Sequence, residues 1–246
     1  ALMETRGTDE AIAEFDRALE LNPRLAEAAN NLGSAFLAKG EADKAVDQFR
    51  KAIAMDGGSA DAHMNLGNTL LQQGRIDEAV AEFRRIIALR PELSNPHDAL
   101  ANVYFSQGRL DEAVAELKVA LSLDPANAQA HNDLGAVLAR EGHTTEAVGE
   151  FGRAVELRPD FAPALVNLGN IFLQHKHARE AVGFFRQALA ADPTDAHVRN
   201  NLGIALVKAG QPAEAAEQFR KAVEIDPGYA DARRNLSIVE RQAAEK

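Results

Sequence analysis

Residues 60–93 read ADAHMNLGNTLLQQGRIDEAVAEFRRIIALRPEL, and the fold of the chain can be read from this stretch. Its first half, Ala60 to Gln73, places Leu66, Leu70 and Leu71 at helical spacing. Its second half, Asp77 to Arg90, does the same with Ala79, Val80, Phe83, Ile87 and Leu89. Apolar residues three and four apart make an amphipathic helix. Gly74 lies between the halves, where a helix C-terminus favours a residue tolerant of positive φ. Asp77 and Glu78 open the second helix and complement its macrodipole, while Arg84, Arg85 and Arg90 lie nearer its end. Pro91 cannot continue that helix. The stretch predicts helix, turn, helix, turn.

The same pattern returns every 34 residues along the chain. Asn65-Leu66-Gly67 has copies at Asn31-Leu32-Gly33, Asp133-Leu134-Gly135, Asn167-Leu168-Gly169 and Asn201-Leu202-Gly203. Weaker copies are Ala99-Leu100-Ala101 and Asn235-Leu236-Ser237. Gly40, Gly108, Gly142 and Gly210 share the place of Gly74. Pro23, Pro125, Pro159, Pro193 and Pro227 share that of Pro91, with Gly57 there once. Ala45, Ala79, Ala113, Ala147, Ala181 and Ala215 hold one small position of the second helix. Phe49, Phe83, Phe151, Phe185 and Phe219 supply the matching bulk, with Leu117 as a substitute. Small residues opposite large ones predict a close helix crossing, where added volume would clash. A fixed period of this length means stacked units and no single globular core.

This pattern resembles the tetratricopeptide repeat (TPR). Residues 26–59 carry Leu32-Gly33, Phe36, Ala45, Phe49 and Ala52 at the family's offsets, with Gly57 in the proline place. The large aromatic before Leu-Gly is replaced by Ala29, His63, His97, His131, Leu165, Arg199 and Arg233. The resemblance implies an all-α fold, a right-handed solenoid or superhelix of antiparallel helix pairs. The expected organisation is a partial repeat over 1–25, six full repeats over 26–229 and a capping helix over 230–246. Within the partial repeat, 8–22 reads as a second helix and Ala1-Leu2-Met3 as the tail of a missing first helix. Ala11, Ile12, Phe15 and Leu19 would then be partly covered, which invites end-to-end self-association through the N-terminal end. Arg233, Arg234, Glu240, Arg241 and Lys246 suit a solvated cap.

Bulk properties narrow the function. A net charge of −10 argues against nucleic-acid binding and against anionic membranes, both of which require basic surface. No apolar run is long enough for membrane insertion. The absence of cysteine excludes disulfides and thiolate metal sites. No nucleophile, base and orienter stand outside the repeat template, so no enzyme activity, cofactor or metal is expected. The expected location is cytoplasmic. His63, His97 and His131 share one packing position, and His175-Lys176-His177 reads as an irregular turn. Gly149, Gly152 and Gly183, with Ala81 and Ala115, form a smooth strip along successive second helices that could seat a partner.

The strongest candidate surface is a polar stripe on the first helices, facing away from Leu32 and Phe36. Its residues include Asn31, Asn65, Asn68, Asp98, Asn102, Asp133, Asn167, Asn170, Asn201 and Asn235. A carboxamide offers both a donor and an acceptor, so a row of them can hold a peptide backbone without reading its side chains. Asp98 and Asp133 interrupt the row and could meet a ligand Lys or Arg. By resemblance to TPR solenoids, first helices line the concave surface. The ladder Asn31, Asn65, Asn167, Asn201 and Asn235 also resembles the TPR arm of O-GlcNAc transferases, whose inner asparagines engage substrate backbones; Ala99 and Asp133 depart from it. The carboxylate clamp of Hsp70 and Hsp90 co-chaperones needs basic first-helix residues, whereas Asn30, Met64, Asp98 and Asn132 stand there. Three readings follow: a protein-interaction scaffold that binds an extended protein or peptide ligand in its groove, the non-catalytic substrate arm of a larger glycosyltransferase, or a self-assembling scaffold. The first predicts that Asn65→Ala with Asn201→Ala weakens binding and leaves the melting temperature nearly unchanged.

Overall fold

The computed structural model describes residues 2–244, with side chains described from Gly7 onward. All regular structure among the described residues is α-helical. The chain divides into two compact units, with the boundary in sequence between Leu123 and Asp124. The first holds α1 (Leu2–Leu21), α2 (Ala26–Ala38), α3 (Ala42–Met55), α4 (Ala60–Gln72), α5 (Ile76–Leu89), α6 (Asn95–Ser106) and α7 (Leu110–Leu123). The second holds α8 (Ala128–Glu141), α9 (Thr144–Leu157), α10 (Ala162–Gln174), α11 (Ala178–Ala191), α12 (Ala196–Lys208), α13 (Pro212–Ile225) and α14 (Ala230–Ala244).

Packing follows chain order. In the first unit α2 pairs with α3, α4 with α5 and α6 with α7; α1, α3 and α5 then each pack on the next first helix. The second unit repeats the scheme from α8 to α14. There α8 also touches α10, α10 touches α12, and α12 touches α14, as α2 touches α4 in the first unit. No pair of second helices brings its backbones comparably close among the described residues. Within each unit, therefore, the first helices lie on the crowded side of the stack.

The close crossing inside each repeat has a steric cause. A Cβ added to Gly67 would lie 2.5 Å from Phe83, and one added to Gly33 would lie 2.6 Å from Phe49. Real Cβ atoms do not approach carbon so closely, so the ring and the glycine require each other. Phe49, Phe83, Phe151, Phe185 and Phe219 are all buried at 0–1% exposure. Full burial of one such ring contributes about 1.5–3 kcal/mol. The exception obeys the same rule: where Leu117 replaces phenylalanine, Ala101 replaces glycine, and both are buried.

The turns follow the expected chemistry at one position and depart from it at another. Gly74 has φ +73°, in the left-handed region, as do its counterparts in four other repeats. Lys176 holds the same place in the fifth full repeat with φ +66°. A side chain there costs roughly 1–2 kcal/mol, so the irregular turn expected at His175-Lys176-His177 is a strained version of the regular one. Some helix starts are capped by a short polar side chain, whereas Ser94 at the start of α6 makes no such bond. Asn127 accepts from the Ala130 N–H at 3.0 Å and Asp195 from that of Val198 at 2.9 Å, each worth about 1 kcal/mol.

The chain ends add detail. α1 runs unbroken through Gly7, so Leu2 and Met3 continue it where the sequence suggested the tail of a separate helix; Ala1 lies outside the described residues. Ala11, Ile12, Phe15 and Leu19 are half-buried. At the other end Glu240 accepts from Arg220 at 2.9 Å and ties α14 to α13, while Lys246 lies outside the described residues.

Candidate functional site

Each stripe residue is positioned by the motif around it. In Asn65-Leu66-Gly67, Leu66 enters the core and Gly67 lies under Phe83. A turn of about 100° per residue then leaves Asn65 at the edge of the first-helix face. Asn31, Asn65, Asn167, Asn170, Asn201 and Asn235 are half-buried there, while Asn68 and Asn102 are exposed. The structure brings the candidates together as two sets. One is Asn31, Asn65, Asn68, Asp98 and Asn102 in the first unit; the other is Asp133, Asn167, Asn170, Asn201 and Asn235 in the second.

Several of the asparagines are tied to a neighbouring repeat. Asn65 Nδ2 donates to Asn30 Oδ1 at 2.9 Å, Asn167 Nδ2 to Asn132 Oδ1 at 3.0 Å and Asn235 Nδ2 to Asn200 Oδ1 at 2.9 Å. Each bond links one first helix to the preceding one across 35 residues. Where the earlier position is Met64, the later one is Ala99, so the pair is apolar on both sides. Where it is Val166, Asn201 turns to Asn170 at 3.5 Å. Removal of Asn65 therefore costs a bond between repeats, which corrects the expectation that such a variant keeps its stability. Asn30, Asn132 and Asn200 are the site residues that the sequence reading missed. Their signal was the match of residue types 35 positions apart, with asparagine answering asparagine and Met64 answering Ala99.

The two acids are also engaged. Asp133 Oδ1 accepts from Gln129 at 2.7 Å and from Asn132 at 3.1 Å. Asp98 is half-buried and partnered.

A second polar line joins the two helices of a repeat. His63 Nδ1 meets Glu82 at 2.5 Å, His97 meets Glu116 at 2.6 Å and His131 meets Glu150 at 2.6 Å. Arg199 donates to Gln218 at 3.1 Å from the same pair of positions. In the fifth full repeat Leu165 and Phe184 occupy them, an apolar pair in place of the polar one. These contacts give the histidines the packing role expected of them. Among the described residues, no three His, Asp or Glu side chains are placed to hold a metal ion.

The second-helix face is laced with ion pairs. Arg50 meets Glu78 at 3.2 Å and Arg186 meets Glu214 at 2.5 Å, each joining successive repeats. Glu78 also accepts from Arg75, whose hydrogen bond holds the carboxyl below its ordinary range. The glycine strip interrupts this lacing: Gly152 occupies the arginine position, and Glu180 turns to His177 at 3.3 Å. A Cβ added at Gly149, Gly152 or Gly183 would meet nothing within 4 Å, so packing does not require these glycines.

No described helix is long and apolar enough to cross a membrane. Within each unit the arrangement offers two polar faces, one on the first helices and one on the second.

Comparison with known proteins agrees with this geometry. A sequence profile described as tetratricopeptide repeat matches residues 1–60, 138–196, 166–230 and 200–244. A second matches 36–103, and one described as TPR repeat matches 101–142. No curated protein matches the sequence. Among solved structures, a chain of the APC/C hetero-tetramer Cut9–Hcn1 superposes with a TM-score of 0.76 at 19% identity over 97% of this chain. This chain spans about half of that one, 47% of its length. PilF of Pseudomonas aeruginosa superposes at 0.74 with 19% identity, covering 98% of this chain and all of that one. MamA superposes at 0.59 with 22% identity, covering 71% of this chain and 95% of that one. At these identities the superpositions speak for the fold alone. TPR proteins are generally non-catalytic scaffolds for protein interaction. With profile matches covering most of its length and helix pairs repeating every 34 residues, the chain belongs to the tetratricopeptide repeat family.

Proposed function

We propose that this chain holds an extended segment of a partner protein along its first-helix face. The reading takes residues 1–25 as a partial repeat, 26–229 as six full repeats and 230–246 as a cap. The observation that carries it is the Asn65–Asn30 bond and its counterparts. Each uses one N–H of the carboxamide and fixes its plane, leaving the oxygen of Asn65, Asn167 or Asn235 set to accept from a ligand backbone. A group held before binding loses less entropy when the ligand arrives. Asn68 and Asn102, exposed on the same face, extend the set. One structural neighbour, a chain of the APC/C hetero-tetramer Cut9–Hcn1, is likewise part of an assembly with other chains.

The test separates binding from folding. Asn68→Ala with Asn102→Ala removes two exposed carboxamides that no bond between repeats uses. Proteins captured from native lysate by the wild type should be lost or depleted with this variant, at an unchanged melting temperature. Equal capture by both would remove the first-helix face as the site.

A further inference from the structure

The first-helix face changes character along the chain. Its ninth position in successive repeats is Ser34, Asn68, Asn102, Ala136 and Asn170, and then Ile204 and Ile238. A large apolar side chain stands there only in α12 and α14 among the described residues, and these two helices touch each other. Between them lies a cleft of about 190 Å³. Ile204, Val207 and Ile238 form its walls, and Phe219 and Val239 its floor. The floor is closed, at 1% and 4% exposure, whereas Val207 and Ile238 stand open at 38% and 37%. Ile238 replaces a residue that is polar in most earlier repeats, while Val207 continues an apolar row of Leu37, Leu71, Phe105 and Leu173 that is half-buried elsewhere.

One cation marks the rim. Lys208 ends α12, lines the cleft and is exposed, with no ion pair among the described residues. Many other bases here are answered by an acid, as Arg220 is by Glu240 and Arg234 by Asp231. Asn235, on the opposite wall, is held by Asn200 at 2.9 Å.

We propose that this cleft is a side-chain pocket for a partner segment that carries a branched aliphatic residue next to an aspartate or glutamate. The aliphatic group covers Ile204, Val207 and Ile238, and the neighbouring carboxylate meets Lys208. The occupant is acidic because Lys208 is the one charged side chain among the described residues that line the cleft. It is a segment of extended chain because Asn235 presents a fixed carboxamide beside the pocket. The pocket deepens the reading of the first-helix face and rests on it for the direction of the bound chain, though not for its own occupancy.

The probe is N-acetyl-Leu-Glu-amide, titrated into methyl-labelled full-length protein. The Ile204, Val207 and Ile238 methyl resonances should shift saturably. Ile238→Asn should abolish those shifts at an unchanged melting temperature, since Ile238 is exposed. Both Lys208→Gln and the probe N-acetyl-Leu-Lys-amide should weaken binding by about threefold or more, the scale of an exposed ion pair. Asn68→Ala with Asn102→Ala should leave this titration unchanged. Failure of the wider groove reading would therefore appear in the capture experiment and not here. Absence of saturable shifts at these methyls, or equal binding of the lysine probe, would overturn the proposal.

Discussion

Asn65 donates a carboxamide hydrogen to Asn30, one repeat and one residue earlier in the chain, at 2.9 Å. A residue of the polar face is thereby also a joint between repeats. Asn65→Ala strands a half-buried acceptor and should lower unfolding free energy by about 1–2 kcal/mol in urea titration. Asn30→Met with Asn65→Ala copies the neighbouring Met64/Ala99 pair. It should recover most of the loss, giving a clear coupling energy in the double-mutant cycle. Additive losses would show that the bond carries no energy.

Gly67 and Phe83 form the second test. Gly67→Ala forces a methyl into the ring and should cost about 1–3 kcal/mol. With Phe83→Leu added, the pair becomes that of Ala101 and Leu117. The double variant should be more stable than the sum of the single losses allows, as read by thermal unfolding.

Lys176 sits where five other repeats have a glycine of positive φ. Lys176→Gly should relieve the turn and raise stability by about 0.5–1 kcal/mol, the strain removed less the entropy that glycine adds to the unfolded chain. Lys39 is a control of opposite kind. It lies just before Gly40, and its ammonium, held by Asp9 at 2.7 Å, gains nothing from substitution by glycine.

His143 carries a small pH signature. Its hydrogen bond to Glu146 at 3.0 Å raises the imidazole above its ordinary 6.5. A group raised in the folded state contributes stability that is fully present below its unfolded value and lost as pH rises through the folded one. Stability should therefore fall slightly as pH rises past 6.5. The Glu146→Gln variant should lack this component and should show its largest difference from wild type on the acid side. Because the pair is exposed, added salt should shrink the effect.

Much of the fold was legible in the sequence because its causes lie within one repeat. Gly67 and Phe83, the turn glycine and the stop at Pro91 are all found inside residues 60–93, and a period of 34 residues copies them. The stripe was legible as a helical face for the same reason. What the stripe does was less so, because the Asn30–Asn65 bond joins two different repeats and depends on how they stack. A reading of one repeat at a time sees Asn65 as a solvated amide. The histidines illustrate the same limit: His63 alone looks like packing, and its contact with Glu82 emerges only once α4 lies against α5. Leu165 with Phe184 carried the clue, since both positions turn apolar together.

The central claim is that partner proteins lie on the first-helix face. The most direct measurement compares capture from native lysate, read by mass spectrometry, for the wild type, Asn68→Ala with Asn102→Ala, and a second-helix control, Gly149→Ala with Gly152→Ala. The account predicts partners lost only with the asparagine variant, all three proteins being folded. Partners retained by that variant and lost with the glycine one would place binding on the opposite face and contradict it.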